Sequence, residues 1–175
     1  MDASRARTNA RSLLGLAAAA LVVAAVVVFA PDSPAQPRQQ WRPPEGYALA
    51  DTVVLPGDHT LRLFTGPSGW YVERLAANRH EAAVGAAGGG GGTGYEVSEV
   101  LGGLVGRVPT PGAQAVSVGS GEAAVRASVH SQVFLVPAPV LTEADEAVPV
   151  TPLDATGRTL AGETLVPITG RDPEG

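Results

Sequence analysis

The chain has 175 residues and no cysteine. That excludes disulfides, a lipid-modified cysteine, thiolate zinc sites and cysteine nucleophiles. A domain outside the cytoplasm would then be held by packing alone. Lysine is absent too: all 12 basic residues are arginine. Basic residues are outnumbered by 17 carboxylates. Three arginines and one carboxylate precede Pro31, so the segment from Pro31 on carries 9 arginines against 16 carboxylates, a net charge of −7. An acidic segment of this kind is soluble and poorly suited to polyanions, which excludes nucleic acid as a partner.

Sites of chemistry are equally scarce. The three histidines, His59, His80 and His130, show no pairing at metal-ligand spacing. No G-x-S-x-G nucleophile motif occurs, and Gly119-Ser120-Gly121-Glu122 reads as a turn. The glycine tract at 85–94 has no following GK[ST] and reads as a flexible surface loop, not a phosphate cradle. Glu143, Asp145 and Glu146 cluster, but without the ligand spacing of a calcium loop. The expectation is a non-enzymatic protein with no catalytic residue, no metal site and no cofactor.

What is present is Leu13–Ala30, LLGLAAAALVVAAVVVFA, a run without charge, proline or polar side chain. At about 1.5 Å per residue a helix of that length spans roughly 27 Å, close to the ~30 Å hydrocarbon core of a bilayer. Its ten Leu, Val and Phe residues favour insertion by roughly 3–6 kcal/mol. In lipid the backbone must bond within its own segment, so a helix is expected despite the valines. Arg5, Arg7 and Arg11 precede the run, and the far side opens with Pro31-Asp32. The positive-inside rule places residues 1–12 in the cytoplasm as a short tail and the remainder outside. The expected localisation is therefore the cell membrane, single-pass, with the lipid bilayer as partner of 13–30. A cleaved signal peptide has the same order of charged and apolar residues, and Ser33-Pro34-Ala35 offers small residues for a cut.

Residues 31–45 form a linker with five prolines, extended at ~3.1 Å per residue over as much as roughly 45 Å. Trp41 within it is expected to pack on a domain edge or at the lipid interface. Residues 46–168 read as a β-rich domain. Leu49, Val53 and Leu55 share a period-two face, with Asp51 the exception. Residues 59–75 read as a hairpin turned at Gly66-Pro67-Ser68-Gly69. The stretch 76–87 stays open between loop and short helix. Short strands follow near 115–118, 123–129, 133–136, 148–153, 158–160 and 164–168, and 169–175 is a fraying tail. Prolines 109, 111, 137, 139, 149 and 152 suit strand ends and edges. Many short strands with turns at this spacing argue a β-sandwich.

Three stretches carry a resemblance: VGRVPTPGAQAVSV (105–118), VRASVHSQVFLVPAP (125–139) and VPVTPLDATGRTL (148–160). Their order is similar to that of transthyretin-like and carboxypeptidase-regulatory-like sandwiches, with His130-Ser131-Gln132 where those families usually place an Asp-Gly turn. The whole layout resembles bacterial single-pass membrane-anchored proteins with a small β-rich outer domain. The resemblance implies one transmembrane helix followed by a mainly-β, Ig-like or transthyretin-like extracytoplasmic domain, and it supplies no catalytic residues. Trp70 and Tyr71 fall on opposite faces of their strand. One is expected in the core and the other on a surface that could seat an envelope protein partner. A structural or protein-interaction role is the leading expectation. A transmembrane signalling regulator, or a β-domain secreted after cleavage, stands as the alternative.

Overall fold

The computed structural model describes residues 41–87, 94–142 and 145–170. The tail 1–12, the Leu13–Ala30 run, most of the linker, Glu143 and residues 171–175 lie outside these. Among the described residues no helix is long and apolar enough to cross a membrane.

The described part is mainly β, in two sheets with a sandwich-like arrangement. β1 (Ala48–Leu55), β2 (His59–Gly66), β3 (Gly69–Ala76) and β4 (Arg79–Ala87) form an antiparallel meander in that order. The second sheet is built from β5 (Glu96–Val100), β6 (Gly103–Arg107), β7 (Ala115–Val118), β8 (Val125–Ser128), β9 (Val133–Pro137), β10 (Ala147–Leu153) and β11 (Thr164–Thr169). Its spatial order is β8-β7-β10-β11-β5-β6-β9. The end strands β8 and β9 are consecutive in sequence and lie beside each other, so this sheet curls round its own core. β11 joins its two halves, antiparallel to β10 and parallel to β5.

Two apolar clusters result. One fills the curled sheet: Val97, Leu104, Val116, Val118, Phe134, Val136, Val148, Val150 and Val166 are among its members. The other lies between the meander and the outer side of β6 and β9: Leu55, Leu61, Leu63, Val72, Val105, Val133 and Leu135. β6 and β9 therefore bury both faces. Leu104 and Phe134 enter the first cluster, while Val105 and Leu135 enter the second. That is why both strands read as unbroken apolar runs without alternation.

The glycines of β6 are places where side chains from either layer come close. Phe134 sits across the ladder from Gly106, and a methyl on Gly106 would overlap the Phe134 ring and lie 2.8 Å from the Glu96 carbonyl oxygen. A methyl on Gly103 would run into Leu61 of the meander.

Several local readings are corrected. The stretch left open at 76–87 is a strand from Arg79, reached through a two-residue turn at Ala77-Asn78 with φ of 45° and 62°. β4 continues to Ala87, three residues into the glycine tract, and the Tyr71 ring packs over Gly85. In β1 the pairing shifts between Leu49 and Asp51, making Ala50 the extra residue of a bulge. Ala50 packs on the inner cluster and Leu49 is left 55% exposed. That bulge is why Asp51 interrupts the alternation. Residues 121–123 form a single 3-10 turn, so β8 starts only at Val125. Residues 158–160 form no strand; one bridge, Leu153 to Thr159, closes that turn.

Pro149 and Pro152 lie inside β10, a strand with neighbours on both sides. β11 pairs with residues 147–150 and β7 with residues 150–153. In an antiparallel ladder the N and C=O of a residue face the same side. The Pro149 carbonyl accepts from Gly119, just past the end of β7, and the Pro152 carbonyl accepts from Leu160, past the end of β11. Each missing N–H faces the side where the neighbouring strand has run out.

Phe134→Ala should cost about 3–5 kcal/mol, and Gly106→Ala about 1–3 kcal/mol, in urea unfolding followed by tryptophan fluorescence. The double variant should cost less than the sum, because the new methyl enters the space the ring leaves. Additive costs would show that the two groups do not compete for one volume.

Candidate functional site

Alternation along β3 separates the two candidate residues. Trp70 turns inward, half-buried against the Leu61–Leu63–Val72 cluster. It also lines a cleft of about 230 Å³ with Gly66, Gly69, Glu96, Arg107 and Gln132. At the mouth of this cleft the Arg107 guanidinium donates twice to Gln132 Oε1, at 3.2 and 3.3 Å. Gln132 and Ser131 form the β8–β9 turn, with φ of 68° and 52°. His130 and Val133 close it with reciprocal backbone hydrogen bonds of 2.7 and 2.9 Å. Ser131-Gln132 thus adopts the left-handed backbone that an Asp-Gly pair takes more readily.

Tyr71 turns to the outer face, where the aromatic side chains gather. Its ring meets Tyr47 edge-on, with centroids 4.9 Å apart. Tyr47 itself covers Gly66, and its hydroxyl pairs with Ser68 Oγ at 2.9 Å. Nearby, Trp41 stacks on His80 at 5.6 Å with planes 4° apart, and meets the Phe64 edge at 5.5 Å. Residues 41–47 therefore form a strap across the outer face of the meander. A turn closed by Tyr47 N–H to Pro44 O, at 3.2 Å, shapes it. This strap contains the end of the stretch read as a linker. Its signal was the pair of aromatic residues bracketing Pro43-Pro44-Glu45-Gly46.

Under the strap lies Glu73, the one buried charged residue among those described, 5% exposed. Its Oε1 is 3.0 Å from His80 Nδ1, and its Oε2 is 3.8 Å from the Arg62 guanidinium. A carboxylate this buried needs such partners. The contact orients the His80 ring flat beneath Trp41. What the arrangement does chemically is lock a strap: carboxylate to imidazole, imidazole to indole. A second ionic group sits at the β3–β4 turn. Glu81 is 3.5 Å from His59 Nε2 and 2.9 Å from Arg74 Nε, the latter a charge contact without hydrogen-bond alignment.

Elsewhere, a shallow depression of about 430 Å³ is lined by Gln114, Arg126, Ser128 and Ala155. Beside it Asp154 organises its turn. Its Oδ1 accepts from the Thr156 hydroxyl at 2.7 Å, the Thr156 N–H at 2.8 Å and the Arg158 N–H at 2.9 Å. The Thr156 hydroxyl, followed by the Arg158 amide, holds the Asp154 carboxyl below its ordinary value. Asp145 Oδ2 accepts from the Thr142 amide at 2.7 Å. No group of three or more metal-binding side chains is assembled among the described residues.

No protein-family model, curated protein or solved structure matches this chain.

Two outcomes follow from these contacts. A double-mutant cycle of Trp41→Ala and His80→Ala should give a coupling of roughly 0.5–1.5 kcal/mol in unfolding free energy; independence of the two would mean that the strap is not held by the stack. The lowered Asp154 value stabilises the fold above the ordinary carboxylate pKa of about 3.9, and that contribution is lost as pH falls through the lowered value. Asp154→Ala should therefore be less stable than the native chain near neutrality. Thermal melts on acidification should show the gap closing, and a gap unchanged by acid would exclude the carboxylate as its source.

Proposed function

We propose that this chain is a non-enzymatic, single-pass membrane protein that displays an acidic β-domain outside the cell membrane for structural or protein-interaction roles in the envelope. The observation that carries the reading is the uncharged run Leu13–Ala30 with three arginines on one side and a neutral-to-acidic proline segment on the other. The strap supports it. A linker that ends on the domain through Trp41 and Tyr47 leaves from a defined place on the meander, as a display stalk requires. The curled sheet is read as an Ig-like or transthyretin-like sandwich on the strand order of 105–160. Trp70, in the cleft beside Arg107, and Tyr71, under Tyr47, are the residues we assign to a partner surface.

Protease treatment of intact cells and spheroplasts, with a tag at each end of the chain and the product mass recorded, tests the topology. A membrane-bound, full-length chain that loses only its C-terminal tag is expected. A soluble product lacking about the first 35 residues would instead identify 13–30 as the apolar core of a signal peptide. Exchanging residues 1–12 for an unrelated basic tail should leave function intact; loss of a cytoplasmic response would favour a signalling regulator.

A further inference from the structure

Sheet edges are normally guarded. Exposed strands carry lysine, proline, an inward charge or a bulge, because their unpaired N–H and C=O groups are a template for another strand. The two edges of the meander differ in this respect. β1 has its bulge at Ala50, and the Asp51 carboxylate accepts from the Thr52 amide at 2.7 Å. β4 is the other end of the same sheet, and among the described residues nothing pairs with its far side. Its charged residues, Arg79, His80 and Glu81, all lie at one end, beside the register shift opposite Arg74 and Leu75. From Ala82 to Ala86 the edge is Ala-Ala-Val-Gly-Ala, with no charge and no proline.

A second observation concerns Val84. It faces the same side as its cross-strand partner Val72, which is fully buried in the inner cluster. Val84 itself is 41% exposed. The apolar layer under the meander thus reaches β4 and stops uncovered at the same strand whose backbone is unpaired.

We infer that β4 is a self-association edge, at which a second copy of this chain pairs antiparallel about Val84 and extends the meander into an eight-stranded sheet. The segment is its own complement in that register. Val84 meets Val84 of the second copy, Ala82 meets Ala86, and Ala83 meets Gly85. The inner-facing residues Ala82, Val84 and Ala86 then continue the apolar layer across the two-fold axis. The charged residues 79–81 fall outside these pairs, so no like charges oppose one another. A closed two-fold pair satisfies both free edges and leaves no further one of this kind, because β1 is guarded. A ladder this short buries less than a standard interface, so the dimer is weak and concentration-dependent. None of this depends on how the chain is placed in a membrane.

The absence of native cysteine makes the test clean. Single-cysteine variants of the full chain, purified in mild detergent micelles, are oxidised and the covalent dimer is timed. Val84→Cys should cross-link at least about tenfold faster than Val54→Cys or Leu165→Cys, because pairing raises the local thiol concentration far above that of free collision. Val54 and Leu165, 74% and 67% exposed, serve as controls for accessibility. Ala82→Cys and Ala86→Cys should each cross-link poorly alone, since like residues would lie four positions or ~14 Å apart along the strands, yet readily when mixed. The circular dichroism of each variant confirms its fold. Equal rates at positions 84, 54 and 165, or equal yields from the separate and mixed 82 and 86 samples, would overturn the proposal, as would a monomer at all accessible concentrations by native mass spectrometry.

Discussion

Everything in this fold leans on two short strands that have no polar face. β6 and β9 stand between the two apolar clusters, giving Leu104, Phe134 and Val136 to one and Val105, Val133 and Leu135 to the other. A strand buried on both sides cannot slip by one residue without exchanging its two sets of side chains between layers. The exchange is opposed sterically as well. Gly106 accommodates the Phe134 ring on one side, and Gly103 accommodates Leu61 on the other. The meander has no comparable core of its own, so its inner face depends on the presence of Val105 and Leu135 beneath it.

Much of the architecture was legible in the sequence where alternation and turn chemistry agree. The β2–β3 hairpin, β7, β9 and β11 fall where period-two patterning and Pro/Gly punctuation place strands. β4 was not legible, because RHEAAVGAA has a single β-branched residue and mostly alanine. Pairing with β3 decides it, and no local preference could. The bulge in β1 was visible only as an anomaly at Asp51. Turns at Leu101-Gly102 and Ser131-Gln132 place non-glycine residues at positive φ, a conformation that leucine, serine and glutamine do not advertise. The prolines of β10 misled for a different reason: a strand can be central along its whole length and still have an unpaired side at each proline.

The candidate surface was only half readable. Alternation alone separates Trp70 from Tyr71, but their surroundings come from distant residues. Trp70 meets Arg107 and Gln132 across a cleft, and Tyr71 meets Tyr47 of the strap. The Trp41–His80–Glu73 contact joins segments far apart in the chain, with composition too ordinary to announce it. A buried glutamate in an exposed-looking strand is invisible until its cover is known. Nothing in Glu73's neighbours in sequence predicts that an indole and an imidazole close over it.

The position of β11 sets the order in which the molecule can be completed. Residues 164–169 supply the strand that joins the two halves of the larger sheet, touching β10 on one side and β5 on the other. The meander is local and can pair as soon as its strands exist. The seam between Ile168 and Val97 spans most of the domain, and it must wait for nearly the last residues to be made. Until then β5 and β10 each expose an open edge, and Val97, Val148 and Val150 lack the Val166 side chain that closes over them. A ribosome releasing this chain, or a channel threading it outward, therefore delivers an unfinished sheet until the very end. The period of greatest exposure to mispairing is set by the route from residue 100 to residue 164 and not by the stability of the finished core.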